Sequence, residues 1–260
     1  MTAFNVSAGI GGSIGLMAGG YLTGLFSWRA IFWQCAALSA VMLVGSLLGG
    51  SGKSAAFRGA ARPAPEEWAG EPIFSVSVIG AMLANLLVFA AYAIWVVGLP
   101  LYAAARFGAG PSDIGNLLLV VNAVHILGAF LAGRIIGRAG PLRSLGMGLV
   151  LLTVGIATMI LAPNPWMYAI PASLYAIGEV AGNSAAGELL LKLGGGGGRA
   201  VGMVRITSDI GMVVGPLAAG MLVDHYGVRS PFIVFAALAA VGAAISFWVV
   251  LTRRQRVALR

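Results

Sequence analysis

Eight apolar runs, each about twenty residues long, leave this chain few ways to fold. They lie at roughly 4–25, 30–49, 73–96, 112–132, 143–162, 166–190, 200–223 and 231–251. A helix rises about 1.5 Å per residue and the hydrocarbon layer is about 30 Å thick, so each run is long enough to cross a bilayer. Inside lipid every backbone N–H and C=O must find a partner within the protein, which leaves helices or a closed barrel. Barrel strands alternate apolar and polar residues over about ten positions, and these runs are longer and do not alternate. The expected fold class is all-α: a polytopic transmembrane bundle of about eight helices. Only 9% of the residues are charged, against about 25% in soluble domains.

The positive charge reports orientation. If the first run leads outward, the segments on the cytoplasmic side hold Lys53, Arg58 and Arg62; Arg134, Arg138 and Arg143; Lys192 and Arg199; and Arg253, Arg254, Arg256 and Arg260. The outer connections hold Arg29, Arg106 and Arg229, and Arg205 lies within a run. Basic residues gather on the cytoplasmic side of membrane proteins, so the C-terminus is expected inside, in a plasma or bacterial inner membrane. The net charge of +8 is absorbed by this pattern and calls for no nucleic acid. Met1 has no basic flank and the run after it is too long for a signal core. The chain therefore reads as starting inside or just before a span.

The ends of the chain repeat one another at an offset of 200 residues. Gly11, Gly15, Gly20, Leu22, Arg29 and Phe32 return as Gly211, Gly215, Gly220, Leu222, Arg229 and Phe232. Over positions 11–46 there are 13 identities, well above what this composition gives by chance. Duplicated spans point to a transporter built from two parallel halves. They also imply that most of the first half lies outside this sequence. Residues 50–72 are polar and rich in Gly, Ala and Pro, and read as a cytoplasmic linker between bundles. Gly49-Gly50-Ser51-Gly52-Lys53-Ser54 imitates a phosphate-binding loop, but Leu47 stands where the first glycine belongs and no strand precedes it. ATP is not expected, nor is any cofactor. The run Gly194–Gly198 lacks a strand-to-helix setting too and reads as a flexible connection.

Two spans, a linker and six spans resemble the last two-thirds of a major facilitator superfamily transporter. The first run carries Gly11, Gly15, Gly19 and Gly20, then Trp28-Arg29-Ala30-Ile31-Phe32-Trp33. This is similar to the fifth-helix motif of drug-efflux members, with Leu16 where the family has proline; Gly215-Pro216 and Gly220 supply the counterpart in the second half. Gly133-Arg134-Ile135-Ile136-Gly137-Arg138-Ala139-Gly140 is similar to the family's loop signature, with Gly137 in place of the acid. The resemblance implies helices five to twelve of twelve. Residues 1–49 then end the first half, 50–72 link, 73–252 form the second half and 253–260 a basic cytoplasmic tail. It further implies that the fifth helix packs near the eighth and the eleventh near the second. The substrate path is lined partly by absent helices, so the chain by itself is not expected to transport.

An ionisable side chain at mid-bilayer costs about 2.5–3.5 kcal/mol on insertion scales and marks a functional site by default. Glu179 sits near the middle of the sixth run, with Tyr175 one turn before it and Asn183 one turn after. It reads as an acid that binds a proton or a cationic substrate, or else as a neutral acid bonded to a neighbouring helix. Asn85, Tyr92 and Trp95 share a face of the third run. They read as substrate contacts, against interhelical bonding for Asn85 and an interfacial belt for the aromatics. Asn122 and His125 share a face of the next run, where His125 is a ligand group or a simple bonded histidine. Without a second His or Cys at ligand spacing no metal is expected. Arg205 and Asp209, four apart, read as an ion pair or as a proton-coupled cytoplasmic latch that reaches Glu188. Gly11, Gly15, Gly19, Gly20, Gly211, Gly215, Pro216 and Gly220 are expected to set close helix packing, with Pro216 bending its span.

The function expected is secondary transport of a small molecule across a lipid bilayer, as proton-coupled efflux (antiport) of small amphiphilic compounds. An importer of sugars or metabolites, and an inactive fragment or structural membrane partner, are the alternatives. A polytopic enzyme would need clustered His, Asp or Ser near one surface, and the sequence has none.

Overall fold

The computed structural model describes residues 2–49, 72–195 and 197–258. Nine α-helices order them: α1 Thr2–Leu25, α2 Arg29–Gly49, α3 Val76–Ala90, α4 Leu99–Phe107, α5 Pro111–Ala139, α6 Pro141–Met159, α7 Pro165–Leu193, α8 Gly197–Tyr226 and α9 Ser230–Ala258. Among the described residues there is no strand. The protein is an integral membrane protein with an all-α bundle. Six stretches are long and apolar enough to cross a membrane: 29–47, 76–107, 111–139, 141–159, 197–226 and 230–247. Helix α1 contributes a shorter apolar stretch over 14–25. Helix α7 has the length to cross, with 29 residues, but Tyr175, Glu179 and Asn183 dilute its hydropathy.

Three boundaries differ from the sequence reading. The third span was expected over 73–96 and runs on to Phe107 in pieces: α3, a π-helical turn at Ile94–Gly98, then α4. Pro100 has no N–H to give to the carbonyl of Val96, so the chain widens and Leu99 N–H donates to Ile94 O instead. The segment read as an inner loop at 133–140 is helical through Ala139, and Gly140 alone joins α5 to α6. Its φ of 81° is open to glycine at little cost. Arg134 and Arg138 lie on the exposed side of α5, while Ala132 and Ile136 are buried, so the two arginines decorate a helix rather than breaking it. Helix α9 passes the expected end at 251 and reaches Ala258. The phosphate-loop lookalike and the 50–72 linker lie outside the described residues, apart from Gly49 and Pro72.

Glycine decides which helices meet. A Cβ at Gly178 would strike the backbone of Leu152, one at Gly155 the backbone of Tyr175, and one at Gly148 would come 2.6 Å from Gly182 N. Helices α6 and α7 therefore touch backbone to backbone, which any larger residue would forbid. Gly211 and Gly215 seat α8 on Leu86, Phe89 and Ala90 of α3, and Gly20 seats α1 on Pro111 and Gly115 of α5. The first and fourth runs were expected to pack together, and α1 and α5 meet at Gly20 and Gly115. The two repeats end their first helix at Leu25 and Tyr226 and start the second at Arg29 and Ser230. They use their shared glycines differently. A Cβ at Gly11, Gly15 or Gly220 would meet nothing within 4 Å, and one at Gly19 would only graze Ile31 at 4.0 Å. Pro216 lies inside a continuous α8.

One end of the bundle is sealed by aromatic rings. Tyr102 stacks on Tyr168 with centroids 5.4 Å apart and meets Phe232 edge-on at 5.2 Å. All three are fully buried, and the Tyr102 hydroxyl donates to Ile160 O at 3.0 Å.

Candidate functional site

Helix α7 carries the site because its other side is locked. Gly178 and Gly182 hold it against α6, and Gly128 lets α5 approach until a Cβ there would lie 3.2 Å from Val180. Those contacts turn Tyr175 and Glu179, one turn apart, toward α5 and the broken third span. Between them lies a cavity of about 180 Å³ lined by Tyr92, Trp95, Asn122, His125, Tyr175, Ala176 and Glu179.

The centre of the cavity is a pair of side chains. His125 Nε2 lies 2.7 Å from Glu179 Oε2, with the Glu179 side chain 8% exposed and that of His125 35% exposed. Such a contact forms with a neutral imidazole on a carboxylate, with an imidazolium on a carboxylate, or with the proton on the acid. In each case the contact joins α5 to α7 across the cavity. The Tyr175 hydroxyl donates to Ala91 O at 3.2 Å and is fully buried. That bond fixes α7 to the carbonyl where α3 gives way, three residues before the π-helical turn. Trp95 belongs to that turn and lines the cavity, where the sequence suggested an interfacial belt. The widened turn carries it there, and Pro100 was the signal.

Of the other expected site residues, Tyr92, Asn122 and Tyr175 line the cavity and Asn85 and Asn183 do not. Asn85 is fully buried between α3 and α8 and donates to Thr207 Oγ1 at 2.7 Å, Ser208 Oγ at 3.0 Å and Val204 O at 3.2 Å. Thr207 and Ser208 donate in turn to Met203 O and Val204 O. Asn85 thus joins two helices away from the cavity; a polar residue in lipid is drawn to the nearest polar partners. The sequence reading missed Thr207 and Ser208, whose adjacency in a long apolar helix was the available clue. It missed the Gly178–Gly182 spacing for want of a partner at Gly148 and Gly155, which lie in another helix.

Arg205 and Asp209 pair within α8 at 3.1 Å, with side chains 78% and 52% exposed. Glu188 pairs with Lys192, one turn along its own helix, at 2.7 Å. The latch from Arg205 to Glu188 is therefore corrected: each acid takes the base four residues away, the cheapest partner a helix offers. Among the described residues no three His, Cys, Asp or Glu side chains gather as a metal site.

Residues 81–259 match the sequence profile described as Major Facilitator Superfamily. The chain is 30% identical over 172 residues to a protein of Escherichia fergusonii called Multidrug resistance protein MdtG, which covers 62% of this chain and 41% of that protein. The chain thus spans well under half the length of that relative.

Proposed function

This chain belongs to the major facilitator superfamily, and from that premise we propose that it works within a secondary transporter that exports small amphiphilic compounds in exchange for protons. In this proposal residues 1–49 and 73–252 supply the last two helices of one half and the six helices of the other, in a bacterial inner membrane with the C-terminus inside. The observation that carries the reading is the buried Glu179 carboxyl in contact with His125 inside an aromatic cavity. A buried acid costs free energy that selection removes unless the group is used. The aromatic wall of Tyr92, Trp95 and Tyr175 offers apolar area for a ligand, and the acid and imidazole offer the polar end. The likeness to a multidrug resistance protein supports export over import.

The chemistry follows from two states. With a proton on the pair the cavity is saturated and holds no outside ligand at Glu179. With the proton gone the carboxylate has a free valence for substrate. A transporter that crosses the membrane only when the acid is occupied by one or the other exchanges them. Expression of the transporter that contains this chain should lower cell accumulation of a fluorescent amphiphile, and Glu179→Gln should restore accumulation to that of cells without it. Unchanged export by Glu179→Gln would remove the acid from the mechanism.

A further inference from the structure

We infer that the corner between α5 and α6 binds an anionic phospholipid. Arg134, Arg138 and Arg143 hold its phosphate, and its acyl chains lie along the exposed sides of the two helices. This requires α5 and α6 to cross the bilayer and requires nothing of the exchange cycle.

Each helix carries an exposed stripe that changes character along its length. On α5 the stripe is Leu127, Leu131, Arg134 and Arg138; on α6 it is Arg143, Met147, Val150 and Val154. The spacing is i, i+4, i+7 and i+11 in both, which keeps four side chains on one side of a helix. The other sides are taken up by packing: Ala132 and Ile136 of α5 and Leu145, Leu149 and Leu152 of α6 are buried. Gly140 alone joins the two helices, so the cationic ends of both stripes meet at one corner and the apolar ends run away from it. Eleven residues of helix rise about 16 Å, close to one leaflet of a hydrocarbon layer about 30 Å thick. A stripe one leaflet long, apolar inside the bilayer and cationic at its surface, matches a phospholipid with a negative head.

The charge pattern sets this corner apart from α7 and α8 at the same end of the bundle. In α7 Lys192 stands four residues from Glu188 and pairs with it at 2.7 Å. In α8 Arg205 stands four residues from Asp209 and pairs with it at 3.1 Å. In α5 the residue four beyond Arg134 is Arg138. Like charges at that spacing repel, and Arg143 adds a third from the first turn of α6. Among the described residues none of the three arginines takes part in an ion pair. A phosphate among them offsets the repulsion, and a planar guanidinium takes two phosphate oxygens at once. The first turn of α6 has no side-chain cap, so its positive end favours the same anion. Basic pockets between spans bind anionic headgroups in this way.

The test releases the purified full chain from nanodiscs of equal parts phosphatidylglycerol and phosphatidylcholine. Native mass spectrometry then counts the lipids of each kind that it retains. The wild type is expected to favour phosphatidylglycerol by about tenfold or more, since one arginine near the surface is worth about fivefold. Arg143→Gln should lower that preference about fivefold, and Arg134→Gln with Arg138→Gln further still. Arg229→Gln, between α8 and α9 at the other end of the bundle, removes the same charge and should change nothing. A phosphatidylglycerol with a photoreactive acyl chain gives a second reading on the wild type, which serves if a variant fails to fold. It should label the segments 127–131 and 147–154. Equal retention of the two lipids, or labelling spread evenly over α8 and α9, overturns the inference. So does an Arg229→Gln loss as large as that of Arg143→Gln, which would show a general attraction of charge. Displacement of the lipid by an equal concentration of glycerol 3-phosphate would show an anion site without a lipid's tails, and overturns it too. A preference that appears only once Glu66, Glu67 and Glu71 are replaced by Gln gives the arginines to the linker and overturns it as well.

Discussion

Replacing Gly178 by alanine adds one methyl group at one of the tightest contacts among the described residues. Its Cβ would lie against Leu152 N and within 2.8 Å of Gly148 O and of Leu152 Cα. These are backbone atoms, so no side chain can rotate away, and α7 must draw back from α6. Overpacking of this kind costs about 1–3 kcal/mol. In water alanine would recover about 1 kcal/mol of helix propensity, but spans remain helical when a bundle comes apart in lipid, so little of that gain applies here. A net loss of about 1–3 kcal/mol corresponds to a melting point lower by roughly 2–12 °C for a chain of this size. The retreat also shifts Glu179, the next residue, relative to His125 on α5. Gly15→Ala is the internal comparison: a Cβ there meets no atom within 4 Å, so its melting point should stay within about 2 °C of wild type on the same scale. Thermal loss of packing in detergent, followed by near-ultraviolet circular dichroism of the aromatic rings, reads both. Gly178→Ala that melts at or above the wild type, or Gly15→Ala that falls as far, would refute the reasoning that these contacts separate the two glycines.

Asn85→Leu should change stability by less than about 1 kcal/mol, since interhelical hydrogen bonds in membranes average about 0.6 kcal/mol and the substitution also removes Oδ1, which is buried without a partner; a loss several times larger would show that the amide pins α3 to α8. Tyr175→Phe removes the bond to Ala91 O and should cost about 0.5–1.5 kcal/mol in the same melt; an unchanged melt would free the hydroxyl from that role. Asp209→Asn leaves the cavity intact and should export nearly as well as wild type; loss of export equal to that of Glu179→Gln would put the α8 ion pair into the proton path.

Much of the fold was open to the sequence because lipid imposes length and apolarity on each span. The runs expected from 30 and from 231 start one residue earlier, at Arg29 and Ser230. What failed was punctuation. Glycine and arginine at 133–140 suggested a loop, yet arginines one turn apart on an exposed face continue a helix. The third span was expected to end at 96, yet a π-helical turn carries the chain past Pro100 to Phe107. At the site, Glu179 stood out from its cost in lipid. That His125 is its partner depends on how closely Gly128 lets α5 approach α7, which no spacing within one helix reveals. Asn85 misled because its three partners lie more than 100 residues away.

The central claim is that the pair of Glu179 and His125 exchanges protons for substrate. Proteoliposomes holding the transporter that contains this chain, loaded with a pH-sensitive dye and given an outward substrate gradient, report it most directly. The account predicts proton movement opposite to substrate in the wild type and none in Glu179→Gln, with substrate present in both. Proton movement of wild-type size in Glu179→Gln would contradict it.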